Sequence, residues 1–163
     1  MTLIVEDGSI VENANSYVSV DDARTFASLR GVTLPASDAE VEVLLIKATD
    51  FIEAQRLRFQ GSKVNQDQAL QWPRTGVYVD GFEVASDSIP YELRNAQILL
   101  AIEAQEADLQ PNASQGIERV SIEGAIEVAF DTDSAPSQVN SFSKPQALLG
   151  VLYKRNGLTA IRT

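Results

Sequence analysis

The sequence predicts a mainly α fold: a small helical bundle with a β-hairpin or strand excursion and an extended C-terminal segment. Apolar residues recur at the i, i+3, i+4 spacing of a helix in three separate stretches, which indicates a bundle. One stretch near residue 120 alternates apolar and polar residues, as a strand does. A length of 163 residues with 44% apolar residues suits a core of its own. We therefore expect a single domain over residues 1–163.

The first third of the chain predicts an arm and two helices. Residues 1–18 begin with a short apolar run and continue with glycine and asparagine, which favours an N-terminal arm or a short strand. Ser19 can cap a first helix. Ser37 and Glu40 have the spacing of a capping box, and the apolar residues that follow predict a long second helix over residues 38–56.

The stretch 60–89 interrupts the helical pattern. It contains three glycines and Pro73 and has no sustained period, so it predicts a long loop. A connection of this length is usually functional. A third helix follows it, with Pro90 in the first turn and a wide apolar face that predicts a central place in the bundle.

The C-terminal third predicts a β segment and a final helix. Residues 117–130 alternate apolar and polar side chains, and Gly124 marks a bend or a hairpin between the two halves. Residues 143–163 begin with a capping box at Ser143 and Gln146, carry leucines at helical spacing and end in a basic tail. We expect a short helix there.

The residue types present argue against an enzyme. The chain has no cysteine and no histidine, which removes the thiolates, the commonest general base and the commonest metal ligand. A Ser–Lys dyad stays open, but no motif supports it. The adjacent pair Asp21-Asp22 lies at a helix start, where stabilisation by the helix dipole explains it. We expect no catalytic residues, no cofactor and no metal site.

The sequence gives no sign of a membrane protein. A signal peptide has a basic region followed by a long apolar run, and the N-terminus of this sequence has neither. No stretch approaches the roughly 20 apolar residues that a membrane span needs. We expect synthesis in the cytoplasm and no membrane partner.

Charge is distributed unevenly along the chain. Residues 1–143 hold 23 acidic and 9 basic side chains, whereas residues 144–163 hold four basic side chains and no acidic one. The acidic body should repel nucleic-acid phosphates. The basic tail has two interpretations, a contact with an acidic partner or an ordinary solvated tail.

Aromatic residues in the 60–89 loop leave three interpretations open. Trp72, Tyr78 and Phe82 could form a stacking platform for single-stranded nucleic acid. Residues 61–110 hold eight acidic and three basic side chains, however, so the basic groove of such a platform is not predicted there. The aromatic residues could instead anchor the loop on the helices. Trp72, Arg74 and Tyr78 also have the composition of a protein-binding hot spot.

Several short motifs occur together in one order. They are ANSYVS at residues 14–19, LIKATDFIEAQ at 45–55, FQG at 59–61, QALQWPR at 68–74, IP at 89–90 and IEVAF at 126–130. Together they resemble a family of tailed-phage proteins labelled head–tail connector or adaptor, which is also labelled "putative DnaT-like single-stranded-DNA-binding protein". The resemblance covers about residues 13–153, and its most specific part is the QALQWPR block followed by IP and a helix.

This resemblance implies a structural subunit of a virion rather than an enzyme. Subunits are expected to form a homo-oligomeric ring, a dodecamer, between the portal and the tail of a bacteriophage. The expected partners are the portal protein and a downstream tail or neck protein, while DNA passes through the lumen without specific binding. The protein would be made in the host cytoplasm and would lie at the head–tail interface of the virion. The alternative function is a single-stranded-DNA-binding replication protein.

The resemblance also suggests contact residues. The C-terminal helix and tail, 143–163, is expected to dock on the portal. Its candidate contacts are Lys144, Leu148, Leu149, Leu152, Tyr153, Lys154, Arg155 and Arg162. The 60–89 loop is expected to contact other subunits or the next tail component. Its candidate contacts are Trp72, Arg74, Tyr78 and Phe82.

Overall fold

A computed structural model describes residues 2–109 and 143–154 of the chain. Within these residues the fold is small and mixed α/β, so the prediction of a mainly α bundle is wrong. Helices account for 39% of the described residues, and the long connections between them are turns and short antiparallel β ladders. The predicted β segment at 117–130 lies outside the described residues.

The described residues form four helices. They are α1 (Val20–Ser28), α2 (Asp38–Ala54), α3 (Tyr91–Glu103) and α4 (Ser143–Gly150). Ser19 caps α1, because its hydroxyl accepts the Asp22 N–H at 3.1 Å. Ser37 is the N-cap residue of α2 but makes no side-chain hydrogen bond there, so the capping box predicted with Glu40 does not form.

Helix α3 packs against each of the other three helices. Its buried face includes Leu93, Ala96, Leu100 and Ala101, which are all at most 1% exposed. Each fully buried leucine side chain contributes about 1.5–3 kcal/mol of burial free energy. The wide apolar face in the sequence therefore marks the element around which the described domain is built.

Gln97 brings polar hydrogen bonds into this apolar centre. Its side chain is fully buried, and its amide nitrogen donates to the hydroxyls of Ser16 at 2.7 Å and Thr49 at 2.9 Å. Its amide oxygen accepts the Tyr17 N–H at 3.0 Å. These bonds join the N-terminal segment to α2 and α3 across long sequence separations. A buried amide with satisfied partners fixes one arrangement of the core.

The stretch 60–89, predicted as a long loop, forms two antiparallel hairpins. The first hairpin pairs β1 (Ser62–Lys63) with β2 (Arg74–Thr75), and the second pairs β3 (Tyr78–Val79) with β4 (Phe82–Glu83). Strands of two residues are too short to show alternation in the sequence.

Two glycines make these hairpins possible. Gly61, at the base of the first hairpin, has a φ of +61°, and a Cβ there would lie 2.0 Å from the Thr75 carbonyl oxygen. The turn of the second hairpin is Asp80-Gly81, with φ values of +51° and +88°. Positive φ at both central residues matches the twist of a tight two-residue hairpin.

Candidate nucleic-acid interface

Trp72 lies in the core and cannot contact a partner. Its side chain is 0% exposed and meets the Phe59 ring edge-on, with ring centroids 5.7 Å apart. The Phe59 ring in turn lies 5.6 Å from that of Tyr153 in the segment after α4. Among the described residues the Trp72 indole nitrogen has no hydrogen-bond partner. Trp72 therefore anchors the 60–89 stretch on the helices, which was one of the three interpretations of the sequence.

Arg74 is buried as well, and its guanidinium is bound by main-chain oxygens. It donates to the carbonyls of Gln60 at 2.7 Å and Gly61 at 2.8 Å, and more weakly to Gln71 at 3.3 Å. Loss of water around the guanidinium lowers the pKa of Arg74, and the neighbouring Tyr17 and Glu53 oppose that shift. The hydrogen bonds hold the first hairpin to the chain that leaves α2.

Tyr78 and Phe82 are exposed, but the hairpin separates them. Their exposed fractions are 53% and 79%. Tyr78 pairs with Glu83 and Val79 pairs with Phe82, so the two aromatic side chains project from opposite faces of the ribbon. The four candidate residues of the 60–89 stretch therefore do not form one patch.

The apolar candidates of the C-terminal helix pack inside the domain. Leu149 and Leu152 are fully buried and Tyr153 is 8% exposed, while Leu148 is partly buried. These side chains complete the core rather than form a free docking face. Of the basic candidates, Lys144 and Lys154 are exposed. Arg155 and Arg162 lie outside the described residues.

The fold instead assembles a surface from three segments that are distant in sequence. We call it the basic face and define it by Arg56, Leu57, Arg58, Tyr78 and Lys154, all of them exposed. The Lys154 N–H donates to the Arg58 carbonyl at 2.7 Å, which places the end of the described chain beside the turn after α2.

Gln60 connects the second hairpin to the same surface. Its side-chain oxygen accepts the Tyr78 N–H at 3.2 Å, and its amide nitrogen donates to the carbonyls of Tyr78 at 3.2 Å and Val151 at 2.9 Å. Its own N–H donates to the Leu152 carbonyl at 3.0 Å. One glutamine therefore joins the three segments of the basic face.

The cations of the basic face have no carboxylate partner within residues 2–109 and 143–154. The single ion pair there joins Arg24 of α1 to Asp38, the first residue of α2, at 2.7 Å. Arg56 and Arg58 follow the opposite end of α2. The Arg58 guanidinium lies over the Tyr153 ring, 4.2 Å from its centroid, and also donates to the Gln55 side chain. Exposed cations, together with an exposed tyrosine and leucine on segments that hydrogen bonds join, have the chemistry of a surface for single-stranded nucleic acid.

A half-buried carboxylate, Glu53, lies beside the residues that precede β2. Glu53 accepts the Tyr17 hydroxyl and the Gln71 N–H, and the Trp72 N–H donates to the Tyr17 oxygen at 3.3 Å. Burial raises the pKa of Glu53, although the bonds from Tyr17 and Gln71 oppose the shift. Burial and the nearby Glu53 raise the pKa of Tyr17 well above its ordinary value. The cluster positions Trp72 and the first hairpin.

Two further observations concern metal and membrane. Across the described parts of the chain, no group of three or more acidic, histidine or cysteine side chains is arranged to hold a metal ion. The helices within those parts are all too short or too polar to cross a membrane.

The sequence contains a local signal for the basic face. Leu57 lies outside the apolar stripe of the second helix. The run Arg56-Leu57-Arg58 places an exposed leucine, 81% accessible, between two arginines. Such a triplet directly after a helix is the feature that points to a contact surface.

Comparison with protein families gives one result. The whole chain, residues 1–163, matches the family described as "Putative DnaT-like ssDNA binding protein". No curated protein and no solved structure matches the chain. The match supports the single-stranded-DNA label of the resemblance, and no comparison supports the head–tail connector label.

Proposed function

The chain belongs to the "putative DnaT-like ssDNA binding protein" family, and from this premise we propose that it binds single-stranded DNA through the basic face. The observation that carries the proposal is the set of hydrogen bonds that joins the segments of Arg58, Tyr78 and Lys154. The exposed Arg56 and Leu57 come directly before Arg58 in the sequence. Family membership supports the ligand class, and the arrangement of these side chains supports the location.

The side chains of the basic face would have different roles in binding single-stranded DNA. Arg56, Arg58 and Lys154 would neutralise backbone phosphates, which provide most of the affinity in non-specific binding. Tyr78 and Leu57 would contact the faces of unstacked bases. Arg58 has one side of its guanidinium against the Tyr153 ring, which leaves the other side for a base.

The acidic remainder of the protein limits this contact. The net charge of −10 repels phosphates everywhere except at a local basic surface, so the DNA contact should be short and independent of sequence. Three phosphate contacts predict a slope of about −2 for the logarithm of affinity against the logarithm of salt concentration on a single strand.

Fluorescence anisotropy with a labelled oligothymidine tests the proposal. We expect binding at about 50 mM salt that weakens about twentyfold at about 200 mM. Replacing Arg56 and Lys154 with glutamine together should reduce the slope in magnitude, from about −2 to about −0.7, because two of the three cations are lost. Arg94→Gln is the matched control, since Arg94 is an exposed arginine on α3 outside the basic face.

Two outcomes would contradict different parts of the proposal. No binding at low salt would remove the single-stranded-DNA function altogether. Binding that Arg94→Gln reduces as strongly as the double variant does would leave the function but move it away from the basic face.

The head–tail connector remains the second proposal. The acidic body supports it, because a ring lined by carboxylates would let DNA pass without adhering. The burial of Leu149 and Leu152 weakens the docking role of α4 and leaves Lys144 and Lys154 as its exposed described contacts. Quantitative mass spectrometry of virions would test it, since a subunit of the ring must be present at a copy number similar to that of the portal.

A further inference from the structure

Helix α2 borders a groove on the side of the domain away from the core. Two neighbouring cavities, of about 610 Å³ and about 500 Å³, share Ala104 and Gln105 in the turn after α3. The first is bounded on α2 by Ala39 and Val43, and the second by Lys47 and Asp50. We call this continuous depression the α2 groove.

The spacing of its residues places one side of α2 along the groove. Ala39, Val43 and Lys47 are four residues apart, and Asp50 follows three residues later, so all four lie in one row on the helix surface. The core row of the same helix, which includes Val41, Leu45, Ala48 and Ile52, is fully buried. Val43 is 41% exposed, so α2 has a second apolar surface that the described residues leave partly open.

The shape of the groove fits a helix. Small side chains, Ala39 on one wall and Ala104 and Ala107 on the other, allow the backbone of an incoming helix to approach closely. Leu44 lies at the floor and Val43 at the wall, which offers two apolar contacts to residues about one turn apart on a ligand helix.

The charge around the groove selects a basic ligand. Glu40 lies on the wall of the larger cavity, and Asp50 and Glu106 line the smaller one. Among the described residues, Lys47 is the one basic side chain that lines either cavity. An apolar floor with a mainly acidic rim is complementary to a helix with an apolar stripe between lysines and arginines.

We propose that the α2 groove binds a basic amphipathic helix of a partner protein. The inference goes beyond DNA binding and does not depend on it, because Arg56, Arg58 and Lys154 do not line the groove. A protein that binds both single-stranded DNA and a basic helix could bring that partner to the DNA.

The test uses the full chain and a designed probe. The probe is a labelled helical peptide of about 18 residues, five turns, with leucines at i, i+4, i+7 and i+11 and with lysine and alanine elsewhere. A peptide of the same composition in scrambled order controls for non-specific attraction of lysine to an acidic protein. We expect the patterned peptide to bind at least about tenfold more tightly than the scrambled one, which corresponds to 1.4 kcal/mol.

Two variants locate the binding. Val43→Asp should weaken the patterned peptide about tenfold, because it puts a carboxylate into the apolar wall. Val64→Asp is the matched control, since Val64 has nearly the same exposure, 42%, and lies after β1 away from the groove. Both variants should keep the circular dichroism spectrum and the urea denaturation midpoint of the unmodified chain, which would show that they are folded.

Three results would overturn the proposal. Equal binding of patterned and scrambled peptides would mean that the groove does not recognise a helix. Equal loss in the Val64→Asp variant would place the peptide elsewhere. Self-association that Val43→Asp abolishes, measured by sedimentation velocity without peptide, would assign the groove to a second copy of the chain.

Discussion

The two hairpins of residues 60–89 have the same strand length and pairing, but they are attached to the domain in different ways. The first is bound through buried side chains. Arg74 donates to main-chain carbonyls, and the Gln68 amide donates to the carbonyls of Leu70 at 2.9 Å and Pro73 at 3.0 Å. The second is bound through its main chain at Tyr78, and its aromatic side chains are exposed.

This difference suggests that the first hairpin stabilises the domain and that the second is available to bind a partner. A hairpin whose arginine and glutamine bind its own main chain, and whose tryptophan is buried in the core, has few side chains left to bind a partner. A hairpin held by a neighbour's side chain, here Gln60, keeps its side chains available. Changes in the first hairpin should therefore alter stability, and changes in the second should alter binding.

The largest expected effect is on stability in the first hairpin. Trp72→Ala should lower the free energy of unfolding by about 3–5 kcal/mol, because it leaves a cavity beside Phe59 in the core. Phe82→Ala, which removes an exposed aromatic ring from the second hairpin, should change it by about 0.5 kcal/mol or less. Urea denaturation followed by circular dichroism measures both values.

Similar losses of unfolding free energy in the two variants would contradict the proposed difference between the hairpins. A large loss for Phe82→Ala would mean that the second hairpin also contributes to the folded core. A small loss for Trp72→Ala would mean that the core closes around the missing indole.

A second, smaller effect concerns pH. Glu53 accepts the N–H of Gln71, which precedes β2. Burial raises the pKa of Glu53 above the ordinary 4.5. The folded chain therefore binds the proton of the Glu53 carboxyl group more tightly than the unfolded chain does. The contribution of Glu53 to stability should therefore fall as the pH rises from about 4.5 through the raised pKa, and level off above it.

Glu53→Gln should remove that part of the pH dependence, as the midpoints of urea denaturation at several pH values would show. Glu103→Gln controls for the loss of one negative charge, because Glu103 is an exposed carboxylate at the end of α3. If the Glu53→Gln and unmodified chains kept parallel stability curves across this range, the Glu53 carboxylate would not be linked to folding.

The helices could be predicted from the sequence because their signal is local. Apolar periodicity identified α1, α2 and α3, and the cap at Ser19 forms as the sequence suggested. The hairpins could not be predicted, since two-residue strands have no period. The Gln97 bonds were also missed, because their partners Ser16 and Thr49 are 81 and 48 residues away in sequence.

The basic face shows why the site was harder to predict than the fold. Counting charge along residues 61–110 argued against a surface for single-stranded DNA, because acidic side chains outnumber basic ones there. Tyr78 lies in that stretch, but the cations of the basic face come from residues 56, 58 and 154. The hydrogen bonds of Gln60 to Tyr78, Val151 and Leu152 join these segments, and no pattern in the sequence indicates them.

The last and smallest expected effect is on DNA affinity and concerns a single carboxylate of the second hairpin. Glu83 pairs with Tyr78 across the second hairpin, so its carboxylate lies on the same side of the ribbon as the Tyr78 ring. If the basic face binds DNA, Glu83→Gln should raise the affinity for oligothymidine about twofold at low salt, because one repulsive charge is removed, and the gain should shrink at high salt. Asp67→Asn, an exposed carboxylate within the first hairpin, changes the net charge equally and should have less effect. Equal gains from both variants would show that the total charge governs binding and that the second hairpin has no special part in it.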